Sequence, residues 1–296
     1  MSKVHYSHCP VCNSNSINPL FHVKDHSVSG ESFVIWVCSD CDLRFTQDVP
    51  DEHSIAPYYK SADYISHSNT RQGMVNQLYQ KVRNYTLEQK ANLVIQKTVA
   101  RGSILDLGAG IGAFLHTMKK RGWEVMGIEP DEGARRQSMD LYGLRLEDTA
   151  TLENLSPRSF DAITLWHVLE HVHQLHSYVE QLKKLLKQGG KIFIAVPNYD
   201  SLDSSVYKLY WAAYDVPRHL YHFTPKSMEA LMKRHGLRIL EKKPMWFDSF
   251  YISLLSSKYK NGKTKWVGAA WSGLRSNMNA LFDRDKCSSV IYVIGE

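Results

Sequence analysis

The sequence has no apolar run approaching the roughly twenty residues that a helix needs to cross a bilayer. Its first residues, MSKVHYSHCPVC, lack the apolar core of a secretory signal peptide. Internal repeats and low-complexity tracts are also missing, so nothing indicates a repeat protein. These absences exclude a membrane-spanning protein, and we expect a cytoplasmic, globular one.

The sequence also lacks a strong excess of positive or negative charge. The 36 Lys and Arg residues nearly balance the 30 Asp and Glu residues, which leaves a net charge of +6. This surplus is compatible with an anionic substrate or partner, but it is too small and too scattered to indicate a nucleic-acid surface. We therefore expect a small-molecule acceptor and no nucleic-acid partner, while the oligomeric state stays open. The 296 residues suffice for one full-sized core and a smaller module.

Only five cysteines are present, and four of them form two C-x-x-C pairs. In a reducing compartment this arrangement favours a metal site over disulfides. Each C-x-x-C turn directs two thiolates to one point, and four thiolates complete a closed tetrahedron around zinc. Residues 1–48, with the β-like run SFVIWVC between the pairs, are predicted to form a zinc ribbon whose metal supplies most of its folding energy. The predicted structural-zinc ligands are Cys9, Cys12, Cys38 and Cys41.

Residues 49–100 are predicted to form a helical connector. Its first part is rich in tyrosine, and Tyr58, Tyr59 and Tyr64 are candidates for a lid that excludes water from a bound ligand. The same tyrosines are equally suited to packing the ribbon onto the rest of the protein. The sequence leaves both roles open.

From residue 101 to 296, strand-like and helix-like segments alternate, which is typical of a parallel sheet covered by helices on both faces. An insertion at about 200–224 follows the fifth predicted strand. Residues 266–282, WVGAAWSGLRSNMNALF, have the pattern of an amphipathic helix, and the weakly basic polar face favours packing or a protein partner over membrane contact. The fifth cysteine, Cys287, is expected to be a small buried hydrophobe.

Residues 104–115, ILDLGAGIGAFL, form a glycine-rich turn between a predicted buried strand and a helix. Gly108, Gly110 and Ala113 satisfy the dinucleotide pattern G-x-G-x-x-A, in which the glycines let a ligand approach backbone amides at a helix start. Glu129 ends the second strand, where a carboxylate accepts both ribose hydroxyls. These features fit a nicotinamide dehydrogenase as well as any other nucleotide-binding enzyme.

Asp106 distinguishes a dinucleotide cofactor, which contains a diphosphate, from other nucleotide ligands. A carboxylate at the end of the first strand is unfavourable beside a diphosphate, but it suits a ligand that carries an ammonium group. S-Adenosylmethionine has an amino acid end, a ribose and an adenine, and it has no phosphate. The sequence therefore favours this cofactor over a nicotinamide.

The motif D-x-G-x-G-x-G at 106–112, together with Glu129, SFDAITLWHVLEHV and LLKQGGKIFIAVPN, resembles the class I S-adenosylmethionine-dependent methyltransferase family. The resemblance covers roughly residues 100–245. The stretch DVPRHLYHFTPKSMEALMKRHGL is similar to the bacterial branch that carries an N-terminal zinc ribbon. The resemblance implies an α/β, Rossmann-like fold with a mostly parallel sheet of seven strands, and S-adenosylmethionine as cofactor.

Carried over by motif, the resemblance assigns a role to each part of this region. Asp106 would hold the cofactor's amino group, the glycine turn its methionine moiety and Glu129 its ribose. Residues after the second and third strands would contact the adenine, and the end of the fourth strand would face the sulfur. The implied cofactor-binding residues are Asp106, Gly108, Ala109, Gly110, Gly112, Glu129, Pro130, Thr151, Leu152, Trp166 and His167.

Histidines supply the candidates for catalysis. Arg218, His219 and His222 follow the fifth predicted strand, on the rim where a methyl acceptor would bind. One of them, with His219 the first choice, would act as a base or hold an anionic acceptor. Alternatively, all three join the 200–224 insertion to the domain. His167 is the second catalytic candidate.

The residues from His167 to His171 also match H-x-x-E-H, a zinc-peptidase pattern. That chemistry needs both histidines on one helical face, whereas His167 directly follows a predicted strand. We therefore assign no peptidase activity, and we interpret His171 as a structural residue at a helix start.

The predicted activity is methyl transfer by direct displacement, in which a lone pair of the acceptor attacks the activated methyl in line with the departing sulfur. The acceptor is expected to be a small molecule or a sugar-containing metabolite. Two alternatives stay open. One is an RNA methyltransferase whose ribbon binds RNA, and the other is a non-catalytic subunit that binds the cofactor and docks another protein.

Overall fold

The computed structural model describes residues 2–60, 74–98 and 101–296. The chain divides into two compact units. The first contains the described residues up to Lys60, Leu169–His176 and Val196–Ile291, and the second contains the described residues from Met74 to Val168, Ser177–Ala195 and Tyr292–Glu296. Each unit draws on separate parts of the chain, so the units do not follow the domain boundaries expected at residues 48 and 100, which remain a prediction.

The helices and strands fall into three successive parts of the chain. The N-terminal part contains β1 (Lys3–Val4), β2 (Ile17–Lys24), β3 (Ser32–Cys38), β4 (Arg44–Thr46), β5 (Val49–Pro50) and α1 (Met74–Lys97). The middle part contains β6 (Ser103–Leu107), α2 (Ala113–Lys120), β7 (Glu124–Ile128), α3 (Glu132–Tyr142), β8 (Phe160–Trp166), α4 (Leu175–Leu185) and β9 (Leu186–Pro197). The C-terminal part contains α5 (Leu202–Tyr207), β10 (Tyr221–His222), α6 (Pro225–Arg234), β11 (Arg238–Pro244), α7 (Asp248–Asn261), α8 (Trp266–Phe282) and β12 (Ser289–Gly295).

Among the described residues, the main sheet has six strands in the order β11-β12-β9-β8-β6-β7. Strand β6 pairs in parallel with β7 and β8, and β8 pairs in parallel with β9. The strands are buried apolar runs such as SILDL and FDAITLW, as parallel strands covered on both faces require. Of the seven strands that the resemblance implies, the one expected after α3 is reduced to a parallel bridge between Ile128 and Glu147. The predicted α/β class with a mostly parallel, Rossmann-like sheet is confirmed.

The cysteine-containing segment forms a second sheet in the order β10-β4-β3-β2. Its strands are antiparallel, and β10 joins β4 through the pairs Tyr221–Phe45 and His222–Arg44. The insertion that precedes β10 therefore belongs to the same unit as the predicted ribbon. Buried apolar residues from both segments share one cluster, and among them are Phe33, Ile35, Tyr58, Trp211 and Tyr214.

A buried arginine connects these segments. Arg218 is fully buried, and its guanidinium pairs with Asp215 at 2.7 Å and with Asp25 at 3.1 Å. It also donates to the Tyr58 carbonyl oxygen at 2.7 Å. Burial by itself would raise the pKa of Asp25, but the Ser29 amide and then Arg218 outweigh it and hold this pKa well below its usual range. The arginine thus keeps the carboxylates charged inside the protein.

Replacing Arg218 with methionine keeps a similar volume but leaves the buried Asp25 and the partly buried Asp215 without their cation. We expect Arg218→Met to lose about 3–5 kcal/mol of unfolding free energy, because an uncompensated buried charge remains. Chemical denaturation followed by circular dichroism measures the loss. The control is Arg136→Met, which breaks an exposed pair with Glu132 on α3 and should cost less than about 1 kcal/mol. Equal losses in the two variants would contradict the supporting role of Arg218.

Candidate functional site

The glycine-rich turn lies between β6 and α2 in the second unit. Gly108, Gly110 and Gly112 have positive φ angles of 64°, 54° and 76°. A Cβ atom added at Gly108 would lie 2.5 Å from the Val168 side chain, so packing requires glycine there. A Cβ atom at Gly110 would meet no atom within 4 Å. The backbone is therefore open at Gly110, where a ligand can approach it closely at the start of α2.

Asp106 lies in β6 and is only 2% exposed. Its carboxylate accepts a hydrogen bond from the Thr164 hydroxyl at 2.6 Å, across the pairing of β6 with β8. Burial raises the pKa of Asp106 to about 7, and the hydrogen bond from Thr164 opposes this rise only in part. Such a carboxyl gains its charge readily when a cation arrives, as an ammonium-binding role requires.

Glu129 directly follows β7 and is 8% exposed. Its two carboxylate oxygens accept separate backbone hydrogen bonds, from the Gly110 amide at 2.8 Å and from the Asp131 amide at 3.0 Å. The carboxylate thereby holds the glycine turn to the start of α3. Burial raises the pKa of Glu129, and these two hydrogen bonds oppose the rise. Each oxygen keeps a lone pair that can accept from a ligand hydroxyl.

Trp166 ends β8 and forms an aromatic surface in the same unit. The Lys90 ammonium lies 4.4 Å from the centre of its ring, and Phe114 meets the ring edge to face at 5.3 Å. The indole Nε1 is buried and has no hydrogen-bond partner in the described part of the chain. Buried indole N–H groups normally have a partner. An acceptor atom of a bound ligand would fit this place.

The predicted adenine contacts lie on two loops of the second unit. Pro130, the second residue after β7, is exposed, and its carbonyl oxygen accepts a hydrogen bond from Arg135 at 2.8 Å. Thr151 and Leu152 lie in a short 3-10 helix, Thr149–Asn154. Leu152 is buried, whereas Thr151 is partly exposed and is the more accessible of the two. Their adenine contacts stay predictions.

Ala109 is the second residue after β6, and His167 is the first residue after β8. Ala109 donates its amide to the Ile128 carbonyl oxygen at 3.1 Å, so this amide is already used by the protein. His167 has a positive φ of 60° directly after β8, and Leu169–His171 forms a separate 3-10 turn. The two histidines of the H-x-x-E-H pattern therefore do not share an α-helix. The helical geometry of a zinc peptidase is absent from this described segment, as expected.

A buried group of ionisable side chains lies in the first unit. The potential ligand atoms of Glu170, His171 and His219 lie within 4.8 Å of one another. Nδ1 of His219 is 2.8 Å from the Ala213 carbonyl oxygen, and Nδ1 of His171 is 3.0 Å from the Arg218 carbonyl oxygen. Because a carbonyl oxygen only accepts, each Nδ1 carries a proton and each Nε2 carries a lone pair in the neutral ring.

The two histidines differ in their surroundings. Burial, followed by the charge of His219, lowers the pKa of His171 to about 4. His171 is therefore neutral at physiological pH, which agrees with the structural role expected for it. Nε2 of His219 lies 4.0 Å from a carboxylate oxygen of Asp215. Of the two, His219 has the surroundings of a general base.

The other predicted acceptor-side residues have protein partners. The guanidinium of Arg218 is occupied by Asp25, Asp215 and the Tyr58 carbonyl oxygen. His222 lies in β10 with Nε2 at 3.2 Å from the Thr46 hydroxyl, and burial holds its pKa well below its usual range. These contacts favour the alternative in which Arg218 and His222 join the insertion to its unit. Their role in acceptor binding stays a prediction that this geometry does not support.

The tyrosines proposed as a lid are only partly described. Tyr58 is buried in the apolar cluster and donates its hydroxyl to Glu31 at 2.9 Å. The hydroxyl of Tyr59 lies 3.1 Å from Nδ1 of His171. Tyr64 lies outside the described residues. The contacts of Tyr58 favour the packing role over the lid.

The four predicted zinc ligands converge in the first unit. The sulfur of Cys9 lies 3.5 Å from that of Cys41, and Cys12 lies 3.6 Å from Cys38. A disulfide would bring the sulfurs to about 2.05 Å. Thiolates at about 2.3 Å from a tetrahedral zinc lie about 3.8 Å apart. The observed distances therefore fit a zinc tetrahedron and exclude disulfides within this cluster.

Three residues near these sites had no clear signal in the sequence. Thr164 lies opposite Asp106 in the register of β6 and β8, so an alignment of the two strands could have identified it. Lys90 reaches the Trp166 ring from α1, and no local motif marks it. No local motif marks Asp215, which lies four residues before His219.

Comparison with known proteins identifies the family. A family model described as a methyltransferase domain matches residues 79–242, more than half of the chain. The chain belongs to this methyltransferase family. Two ubiquinone biosynthesis O-methyltransferases are similar to it, that of Vibrio cholerae at 34% identity over 122 residues and that of Yersinia pestis at 32% over 123 residues. Each alignment covers 39% of this chain and 47% or 48% of the relative, so the chain spans about half the length of the curated relatives it matches.

A solved structure shares the fold of this methyltransferase. The magnesium protoporphyrin IX methyltransferase from Synechocystis, crystallised with bound SAH, gives a TM-score of 0.54 at 13% identity. The similarity covers 82% of this chain and 99% of that chain. At this identity the likeness shows the fold alone. Membership of the methyltransferase family rests on the family model.

Gly110→Ala tests whether the cofactor contacts the open backbone of the turn. Gly143, which ends α3, is a matched control because its φ of 59° and its empty Cβ space resemble those of Gly110. An alanine at either position costs about 1–2 kcal/mol through the left-handed backbone. We expect only Gly110→Ala to weaken S-adenosylhomocysteine binding, by at least about tenfold, because its methyl group takes up ligand space. Titration calorimetry and thermal unfolding measure both effects, and equal affinities in the two variants would rule out the contact.

The pKa of Asp106 predicts a pH-dependent affinity. Because this pKa is about 7 in the free protein, the carboxyl is increasingly neutral below that pH and must lose its proton before it can pair with an ammonium group. We expect the affinity for S-adenosylhomocysteine to fall as the pH is lowered through about 7, approaching about tenfold per pH unit. Calorimetric titrations at several pH values measure the fall. Asp106→Asn should bind weakly with little pH dependence, and a wild-type Kd that stays constant over this range would contradict the role of Asp106.

Proposed function

We propose that this methyltransferase transfers the methyl group to a hydroxyl oxygen of a small-molecule acceptor. The observation that carries the proposal is the 34% identity over 122 residues with a ubiquinone biosynthesis O-methyltransferase. The small net charge of +6, without a basic cluster in the predicted ribbon, supports a small acceptor rather than RNA. A sugar-containing acceptor offers the same hydroxyl chemistry and belongs to the same proposal.

Within this proposal, the second unit binds the cofactor through charge and shape. S-Adenosylmethionine supplies an activated methyl group when it is bound. Asp106 pairs with the ammonium group, Glu129 accepts from the ribose hydroxyls, and the open backbone at Gly110 allows close approach. The indole N–H of Trp166 has no hydrogen-bond partner among the described residues, so it can donate to an acceptor atom of the ligand. The contribution of these residues is to orient the reactants, which is worth several powers of ten in rate.

His219 is the proposed base. Its Nδ1 proton is held by the Ala213 carbonyl oxygen, so Nε2 can take the proton of an acceptor hydroxyl. Asp215, 4.0 Å from that nitrogen, then balances the charge of the imidazolium. His167 remains the second catalytic candidate.

The acceptor class is tested by transfer of a radiolabelled methyl group to a panel of compounds. The panel holds phenols and catechols, hydroxylated sugars, primary amines and RNA. We expect label in hydroxyl compounds and none in amines or RNA, because the proposed base serves an acceptor that must lose a proton. Label in RNA, with binding that weakens steeply in salt, would overturn the proposal in favour of RNA methylation.

On the best acceptor, we expect His219→Gln to lower kcat by about a hundredfold or more, since general-base catalysis is lost. The Kd for S-adenosylhomocysteine should be unchanged. His173→Gln is the control, because it removes a different histidine of the first unit, a partly buried one that contacts the Pro50 carbonyl oxygen. Similar kcat values in both variants would show that His219 is not the base.

We further propose that the four converging cysteines hold a structural zinc ion. All four ligand positions are taken by thiolates, so the metal would stabilise the small module rather than bind substrate. Mass spectrometry of the metal content should find about one zinc per chain. Cys38→Ser should lose the metal and lower the unfolding temperature, whereas Cys287→Ala should keep the metal. Zinc retained by Cys38→Ser would disprove this assignment.

A further inference from the structure

Helix α8 faces the protein with its small residues and faces solvent with its large apolar ones. The face toward the protein consists of Ala269, Ser272, Gly273, Ser276 and Ala280, all of which are buried. By contrast, Val267 is 86% exposed, Trp271 is 60% exposed and Phe282 is 91% exposed. The pattern is the reverse of the usual amphipathic helix, whose apolar stripe faces the core.

The small residues of α8 are explained by its contacts within the first unit. A Cβ atom at Gly273 would lie 2.8 Å from the Phe250 ring, so α7 approaches α8 too closely for a side chain there. Ser276 donates its hydroxyl to Asp203 at 2.7 Å. These contacts determine which face of α8 is buried and leave the apolar face in solvent.

The exposed apolar face of α8 is wide. Its residues are Trp266, Val267, Trp271, Leu274, Met278, Leu281 and Phe282. At about 100° per residue they span an arc of about 160° around the helix. A coiled-coil seam is narrower, since it uses only two positions of each heptad. Contiguous apolar patches of this kind mark sites of protein or membrane contact.

The charge around this face is mainly positive, with Asp283 directly after α8 as an acidic neighbour. Residues 249–282, which include most of α7 and all of α8, contain five basic residues and no acidic residue. Four of the five, Lys258, Lys260, Lys263 and Lys265, lie at or near the connection between the two helices and are exposed. A second copy of the chain on this face would bring like charges together, whereas an anionic surface would complement them.

We propose that α8 and the lysines of residues 258–265 form a docking surface for an anionic lipid bilayer. Tryptophan, leucine and phenylalanine on one helical face, with lysines beside them, are typical of helices that lie in the membrane interface. No helix of the described residues is long and apolar enough to cross a membrane, so α8 would lie in the interface rather than span it. The sequence favoured packing or a protein partner because the polar face looked weakly basic, and the exposed apolar face reverses that preference.

Vesicle sedimentation of the full chain tests the proposal. The vesicles contain phosphatidylcholine alone, or phosphatidylcholine mixed with phosphatidylglycerol. We expect binding to the anionic vesicles, weaker binding in high salt, and little binding to the neutral ones. A blue shift of tryptophan emission on binding would report the transfer of Trp266 and Trp271 into the interface. Absence of binding to anionic vesicles would overturn the proposal.

Two variants separate the apolar and the charged contributions. Trp271→Glu/Leu274→Glu should weaken vesicle binding by at least about tenfold, because apolar area is replaced by carboxylates. Lys263→Gln/Lys265→Gln should weaken binding to anionic vesicles by about fivefold per lysine. Thermal unfolding should be unchanged in both, since all four side chains are exposed.

The matched control is Met139→Glu/Leu141→Glu on α3, where both side chains are about as exposed as Leu274. It should bind vesicles like the wild type. If it weakens binding as much as Trp271→Glu/Leu274→Glu, the effect is one of net charge and α8 is not the docking surface. Sedimentation equilibrium without lipid tests whether a second copy of the chain covers this face instead. A dimer that Trp271→Glu/Leu274→Glu dissociates, together with no vesicle binding, would assign the face to a second copy of the chain.

Discussion

The parallel register of β6 with β7 and β8 is the constraint on which the candidate cofactor site depends. In this register Asp106 lies opposite Gly127 of β7 and Thr164 of β8. The carboxylate therefore meets its hydrogen-bond donor at the same level of the sheet. Gly127 is required there, because a Cβ atom would lie 2.5 Å from Leu115 and 2.6 Å from Leu146. A slip of one residue would turn Asp106 to the other face of the sheet.

Buried carboxylates serve two different purposes in this protein, and the difference is whether the protein supplies the cation. Asp25 and Asp215 face the built-in guanidinium of Arg218. The Ser29 amide and then Arg218 hold the pKa of Asp25 below its usual range despite burial, and Arg218 lowers the pKa of Asp215. Asp106 and Glu129 are buried with hydroxyl and amide donors as hydrogen-bond partners, and their pKa values are raised. The first pair supports the fold. Asp106, with its pKa of about 7, can become charged when a ligand cation binds, and Glu129 is placed to accept from ligand hydroxyls.

The first unit draws its core from segments far apart in the chain. A zinc ribbon is too small to bury enough apolar surface by itself. In this protein the insertion supplies Trp211 and Tyr214 to the cluster beneath β3, and β10 extends the sheet of the ribbon. The same logic applies to α8, whose buried face is made of small residues because α7 lies so close. The resulting surface is decided by these contacts and not by the hydrophobicity of the helix.

The sequence by itself determined the local chemistry. The C-x-x-C pairs, Asp106 two residues before Gly108 and the alternation of strands with helices are short-range patterns, so they could be recognised without coordinates. They predicted the α/β fold and methyl transfer, and they assigned the four cysteines to one predicted metal site. The capping of α6 by Thr224 is another such short-range feature.

Tertiary structure decided what depends on distant partners. Arg218 meets Asp25 across 193 residues of chain, so its placement inside the fold rather than toward an acceptor had no local signal. Thr164 became part of the site only through strand register. Periodicity showed that α8 has two unlike faces, but it could not show which of them meets the protein, because that depends on the small residues that α7 requires. Long-range contacts determine these three features, because the energy of a buried charge or a packed face depends on the neighbours that folding brings to it.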